Sequence, residues 1–141
     1  CIDDMNTAIS HSPGFHSAYF ERAACKDRMG DFEGAVDDYS LALAIKPAPD
    51  IFSNVSLMYF DKFKETENEN FAGRKGLNAI LKALELNSNN AEYMLLASRF
   101  ALLTNKNDIG CSMLKQSSEL GNSEASSLWI SLRNNVCQYR H

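Results

Sequence analysis

Apolar residues return every three or four positions along nearly the whole chain, and Gly, Pro or a polar turn interrupts them at helical-hairpin intervals. Ile2, Met5 and Ile9 share one face of a first helix over residues 1–10, with Ala8 as its close-packing position and Pro13-Gly14 ending it. A second helix runs from about His16 to Met29, with Tyr19, Ala23 and Cys25 inward or nearly so. Arg22 is long enough to lay its stem on the core while its head reaches solvent. Gly30 stops this helix, and Asp31 is placed to cap a third one, which runs to about Ile45. Ala35, Tyr39 and Ala42 form its inner stripe, and Pro47 prevents its continuation.

The same grammar continues downstream. A helix is expected from about Asp50 to Phe63, with Pro49 at its start and Phe52, Val55, Ser56 and Tyr59 in the order aromatic, large, small, aromatic. The polar stretch KETENENFAGRK then breaks the rhythm, and a helix restarts near Phe71 and ends at KALELNSNN. Pro47 to Ser88 spans 41 residues, whereas Pro13 to Pro47 and Ser88 to Asn122 each span 34. The excess falls around Lys64–Asn70, where it can lengthen either helix or protrude as a loop. A further pair is expected over Ala91–Leu103, capped by Asn89 or Asn90, and Asp108–Leu120, with Gly110, Leu114 and Ser117 inside and Gly121 after it. Ser123 is read as the cap of a last helix to about Gln138. Its apolar face is Leu128, Trp129, Leu132 and Val136, while Ser126, Asn134 and Asn135 face out.

The residues Tyr19, Arg22, Ala23, Lys26, Ala35, Tyr39, Ala42 and Pro47, with GDFEGAV and LALAIKP, resemble the tetratricopeptide repeat. Arg22 and Lys26 depart from that family's commonest choices. The ending SSELGNSEA resembles the shorter Sel1-like α/α repeats related to it. The resemblance implies an all-α, right-handed α/α solenoid of about three helix pairs in one domain. Residues 1–13 are a leading half-repeat, 14–47 a repeat, 48–88 a repeat with an insertion, 89–122 a repeat and 123–141 a capping helix that covers the bare face of the stack. A start in mid-repeat reads as a segment of a longer repeat protein rather than as a lipid-modified Cys1.

Composition narrows the picture. The 141 residues are 45% hydrophobic, enough for one continuous core. The formal net charge of −4 argues against a nucleic-acid surface. Charge is uneven: residues 1–70 hold six Lys/Arg against thirteen Asp/Glu, and residues 71–141 hold eight against five. This reads as ordinary solvated faces, with head-to-tail contact between copies as the alternative. The four cysteines are far apart without a C-x-x-C pair, so free thiols, a reducing compartment and a cytoplasmic location are expected. No apolar run approaches the roughly 20 residues of a membrane span.

Candidate chemistry is sparse. There is no Ser–His–Asp spacing, nucleophile elbow or phosphate-cradling Gly loop, so no enzyme activity and no cofactor are expected. His11 and His16 read as loop histidines rather than metal ligands, and the adjacent Asp37 and Asp38 as a solvated outer face. The resemblance places function on a concave wall lined by the first helix of each pair: Phe20, Ala24 and Asp27; Ser53, Leu57, Phe60 and Asp61; Leu95, Arg99 and Leu102. It implies a protein–protein interaction scaffold that holds a peptide or an amphipathic helix. That groove could equally be filled in part by the chain's own inserted loop or last helix. A chaperone-tail carboxylate clamp is disfavoured. Of the matching positions, Phe20, Ala24, Asn54, Glu92 and Leu96, only Asn54 has a suitable side chain. The alternatives are a spacer or self-association segment, acting through Ile2, Met5 and Ile9 of the N-terminal helix, and a regulatory portion of a larger protein.

Overall fold

The computed structural model describes residues 1–65 and 70–138. The described residues form eight α-helices and no strand: α1 (Ile2–His11), α2 (His16–Arg28), α3 (Phe32–Ile45), α4 (Pro49–Glu65), α5 (Asn70–Leu86), α6 (Ala91–Leu103), α7 (Asn107–Glu119) and α8 (Ser123–Leu132). They divide into two units, Cys1–Val55 and Ser56–His141, with the boundary inside α4.

In the first unit α2 packs against both α1 and α3. Small side chains set the α2–α3 spacing: Ala18, Ala23, Ala35 and Ala42 are all essentially inaccessible, and Tyr39 fills the remaining volume. The turn follows from two residues. Gly30 sits at φ 82°, which a side chain would resist, and the Asp31 carboxylate accepts from the Gly34 N–H at 3.0 Å to cap α3.

In the second unit α5 packs on α6, α6 on α7, and α7 on α8. Phe100, Ile80 and Leu114 are its largest fully buried apolar side chains. Gly76 is what brings α5 close to α6, since a Cβ there would run into the Phe100 ring. The Ser56 hydroxyl donates to the Gly76 carbonyl at 2.8 Å and ties the C-terminal part of α4 to the same point.

The two helices that flank the insertion are longer than their counterparts. α4 and α5 are 17 residues each, against 13 or 14 in α2, α3, α6 and α7. Residues 66–69, the centre of the Lys64–Asn70 stretch, lie outside the described residues.

The last helix differs from expectation. It is capped by Asn122, whose side chain accepts from the Ala125 N–H at 2.9 Å, and not by Ser123. It ends at Leu132, because the Leu132 carbonyl accepts turn hydrogen bonds from Asn135 and Cys137 instead of continuing the helical ladder. Leu128, Trp129 and Leu132 do pack on Leu95, Leu114 and Ala125, but Val136 falls outside the helix and is exposed.

The expectation of free thiols is overturned. Cys1 is bonded to Cys25 and Cys111 to Cys137, with Cα separations of 6.2 and 5.6 Å inside the range a disulfide spans. Helix packing brings together residues 24 and 26 positions apart, which no local spacing signals. The compositional argument for a reducing compartment, and with it for a cytoplasmic location, loses its basis. Among the described residues no helix is long and apolar enough to cross a membrane.

Candidate functional site

The expected surface residues separate into those the fold leaves accessible and those it consumes. On α2, Phe20, Ala24 and Asp27 share one face by their spacing. Phe20 is half-buried with its ring 5.8 Å from that of Tyr39, Ala24 is half-buried and Asp27 is exposed. Ser53 is half-buried.

On the C-terminal part of α4, Leu57, Phe60, Asp61 and Lys64 follow one another at helical spacing. Leu57 is 47% exposed. Phe60 is half-buried and meets the edge of Phe100 at 5.2 Å. Lys64 lies over the outer part of this stripe, with its Nζ 5.1 Å from the Phe60 ring and 3.3 Å from the Asp61 carboxylate. Leu57, Phe60 and Asp61 therefore form one continuous patch, apolar at one end and charged at the other.

The α6 residues do not join such a patch. Leu95 is buried against Leu114 and Ala125, because α8 lies on that face. Leu102 is half-buried in the α6–α7 crevice, where a Cβ on Gly110 would come within 2.7 Å of its Cγ. Arg99 reaches Glu124 of α8 at 2.6 Å. All three were expected to face a partner; α8 buries Leu95, α7 half-buries Leu102, and Arg99 stays partly exposed in its ion pair. In the N-terminal helix, Ile2, Met5 and Ile9 are half-buried rather than bare.

Asp38 is the clearest departure from the sequence reading. It is 2% exposed and lies inside the helix pair, where a solvated face was expected. Arg22 donates through Nε at 2.7 Å and Nη2 at 2.6 Å to its two carboxylate oxygens, and Lys26 approaches at 2.9 Å. Arg22 also donates to the Asn6 side chain at 2.9 Å, so a single guanidinium joins α1, α2 and α3. Burial raises the Asp38 pKa, but the hydrogen bonds from Arg22 and Lys26 outweigh it and hold the carboxyl below its ordinary range. The hydrogen bond to Asp38 likewise raises Arg22. Arg22 and Lys26 are the two residues that depart from the tetratricopeptide pattern, and Asp38 is why the fold accepts both. The signal was available in the sequence: two cations at interior positions require an anion opposite them.

Sequence reasoning also missed a shallow depression of about 250 Å³ on α5, lined by Phe71, Arg74, Lys75 and Asn78. Lys75 lies 5.5 Å over the Phe71 ring, and Phe71 is 53% exposed.

Comparison with solved structures agrees with the fold. The chain is similar to a crystal structure of MamA with a TM-score of 0.77 at 10% identity, covering 98% of this chain and 81% of that one. A second MamA structure gives a TM-score of 0.74 at 11% identity, with 98% and 76% covered. No family model and no curated protein matches the sequence. This chain shares the all-α fold of those structures.

Proposed function

We propose that the chain is a non-catalytic interaction module that holds a protein partner, in the form of a peptide or an amphipathic helix, along the exposed face of α4. The helix-pair fold supports an interaction role, since stacked helices display side chains on a rigid backbone at fixed spacing. The observation that carries the location is Leu57, an exposed leucine contiguous with Phe60 and next to the Asp61–Lys64 ion pair. Leu57 and the Phe60 rim supply apolar contact; Asp61 and Lys64 fix the ligand's direction. Leu95 has no part in this surface, because α8 covers it.

The test is a peptide selected from a random display library for binding to the chain, with its affinity then measured against Leu57→Asp. The variant should retain the far-ultraviolet circular dichroism of the parent and bind at least about tenfold more weakly. Unchanged affinity for every selected peptide would remove α4 as the binding face.

A further inference from the structure

Helix α5 divides cleanly into a buried and an exposed face. Ala72, Leu77, Ile80 and Ala83 are buried, whereas Phe71, Arg74, Lys75, Asn78, Lys82 and Glu85 are exposed at helical spacing. The charge on this outer stripe is one-sided. Residues 70–84 hold three Lys/Arg and no Asp/Glu, in a chain whose formal net charge is −4. A solvated helix face gains from opposite charges three or four positions apart, and neither Arg74 nor Lys75 has a carboxylate at that spacing in the sequence. The order also runs against the helix dipole. The first turn has no acidic residue and the last turn no basic one, and Glu85 stands in that last turn. Helix stability therefore does not account for where these cations lie.

The same side chains shape the surface. Phe71, Arg74, Lys75 and Asn78 line the depression of about 250 Å³ on this helix. Lys75 holds its ammonium 5.5 Å from the Phe71 ring, and that ring is still 53% exposed. Two cations and an amide thus stand around an aromatic wall that is open to solvent. Lys82 continues the stripe seven residues beyond Lys75, about 10 Å further along the helix axis.

We propose that this face of α5 docks an acidic segment of a protein partner, with its carboxylates on Arg74, Lys75 and Lys82 and an apolar side chain against Phe71. Carboxylates take charge-assisted hydrogen bonds from all three cations, and the Asn78 amide can donate to a carboxylate or a peptide carbonyl between them. The spread of the cations selects the ligand. A distance of about 10 Å is covered by roughly three extended residues, so a short run of Asp and Glu reaches both ends, whereas one compact phosphate does not. Three cations on a chain of net negative charge are a poor match for a nucleic-acid backbone. A depression with an aromatic wall fits a side chain better than a flat lipid surface. The face shares no residue with Leu57, Phe60 and Asp61 of α4, so the two surfaces stand or fall separately.

Fluorescence anisotropy on the 141-residue chain tests this, with a labelled peptide of Glu residues around a central Leu as the probe. The same peptide with every Glu replaced by Gln should bind at least about tenfold more weakly. Lys75→Glu should lower affinity for the Glu peptide about tenfold, and Lys75→Arg should keep most of it. Phe71→Ala should lower affinity roughly threefold and leave its salt dependence unchanged. Arg133→Glu, which changes net charge equally at the end of α8, should have no effect, and neither should Leu57→Asp on α4. Circular dichroism should be the same for all of these variants, since every substituted residue is exposed. Equal binding of the Glu and Gln peptides, or an equal loss in Lys75→Glu and Arg133→Glu, would overturn the site. Loss of binding in Leu57→Asp with Lys75→Glu unaffected would move the acidic ligand to α4. Phosphatidylserine vesicles that bind through Lys75 and Lys82 while the Glu peptide does not would replace the peptide by a lipid surface.

Discussion

The α2–α3 pair and the α6–α7 pair share one backbone plan and close it with opposite chemistry. Between α2 and α3 the interior holds four alanines, one tyrosine and an ionised carboxylate under two cations. Between α6 and α7, and on to α5 and α8, it holds Phe100, Leu114 and Met94, with the single polar contacts of Ser98 to the Leu95 carbonyl and Ser117 to the Ala91 carbonyl. An apolar interior stabilises by area removed from water and tolerates local imperfection. A buried ion pair is close to neutral overall and severe when broken, because the surviving charge has no solvent. The two regions should therefore respond to substitution in different ways.

The largest effect is expected where apolar packing is densest. Phe100→Ala should cost about 3–5 kcal/mol, as a cavity opens between Gly76 and Phe60. Urea unfolding monitored by circular dichroism measures it, and a loss near 1 kcal/mol would show that this interior collapses easily.

Asp38→Asn comes next, at about 3 kcal/mol, because it leaves Arg22 and Lys26 without their anion. The comparison sharpens with a second variant. Arg22→Met and Lys26→Met combined with Asp38→Leu should fold with stability near or above that of the parent, since replacing all three charges by apolar side chains removes the desolvation cost. If this triple substitution costs as much as Asp38→Asn, the ion network contributes net stability and the contrast between the two pairs fails.

The pH dependence separates the regions at smaller amplitude. The folded Asp38 pKa is depressed below 3.8, so its contribution is present above the ordinary carboxylate range and lost as pH falls through the folded value. Tyr39, pushed up to about 12 by burial, acts in the opposite direction. Its contribution is complete below pH 10 and lost as pH rises from there through about 12. Acid melting of the Cys1–Val55 unit should accordingly precede that of the second unit, as read by hydrogen exchange, whereas in alkali both units should weaken, since burial also raises Tyr59 in the second unit. Uniform loss across both units in acid would contradict this. The smallest effect is expected at the exposed Arg99–Glu124 pair, where Glu124→Gln should change stability by less than about 1 kcal/mol in thermal melts.

Much of the helix pattern was legible, and its failures have identifiable causes. The helix from Ala91 to about Leu103 was read closely, because an apolar period, a cap at Asn89 or Asn90 and a polar turn agree there. The end of α8 was read too long, because apolar periodicity through Val136 says nothing about the turn hydrogen bonds on the Leu132 carbonyl. Asp37 and Asp38 look equivalent in sequence. Only the face each presents to α2 separates a solvated carboxylate from a buried one, and the two unusual cations at Arg22 and Lys26 were the clue. Leu95 and Leu102 were assigned outward on a family pattern for helix A, whereas α8 buries the first and the close approach at Gly110 half-buries the second. Leu57 and Asp61 kept their accessible place.

Local chemistry determined that this chain is helical, where its turns fall and which small residues let its helices approach, since period, glycine, proline and capping side chains act within a few positions of themselves. Tertiary structure decided which charges are buried together, which cysteines meet and which surface leucines another helix covers. Those outcomes depend on distances between residues far apart in the chain, and such distances exist only once the helices have packed.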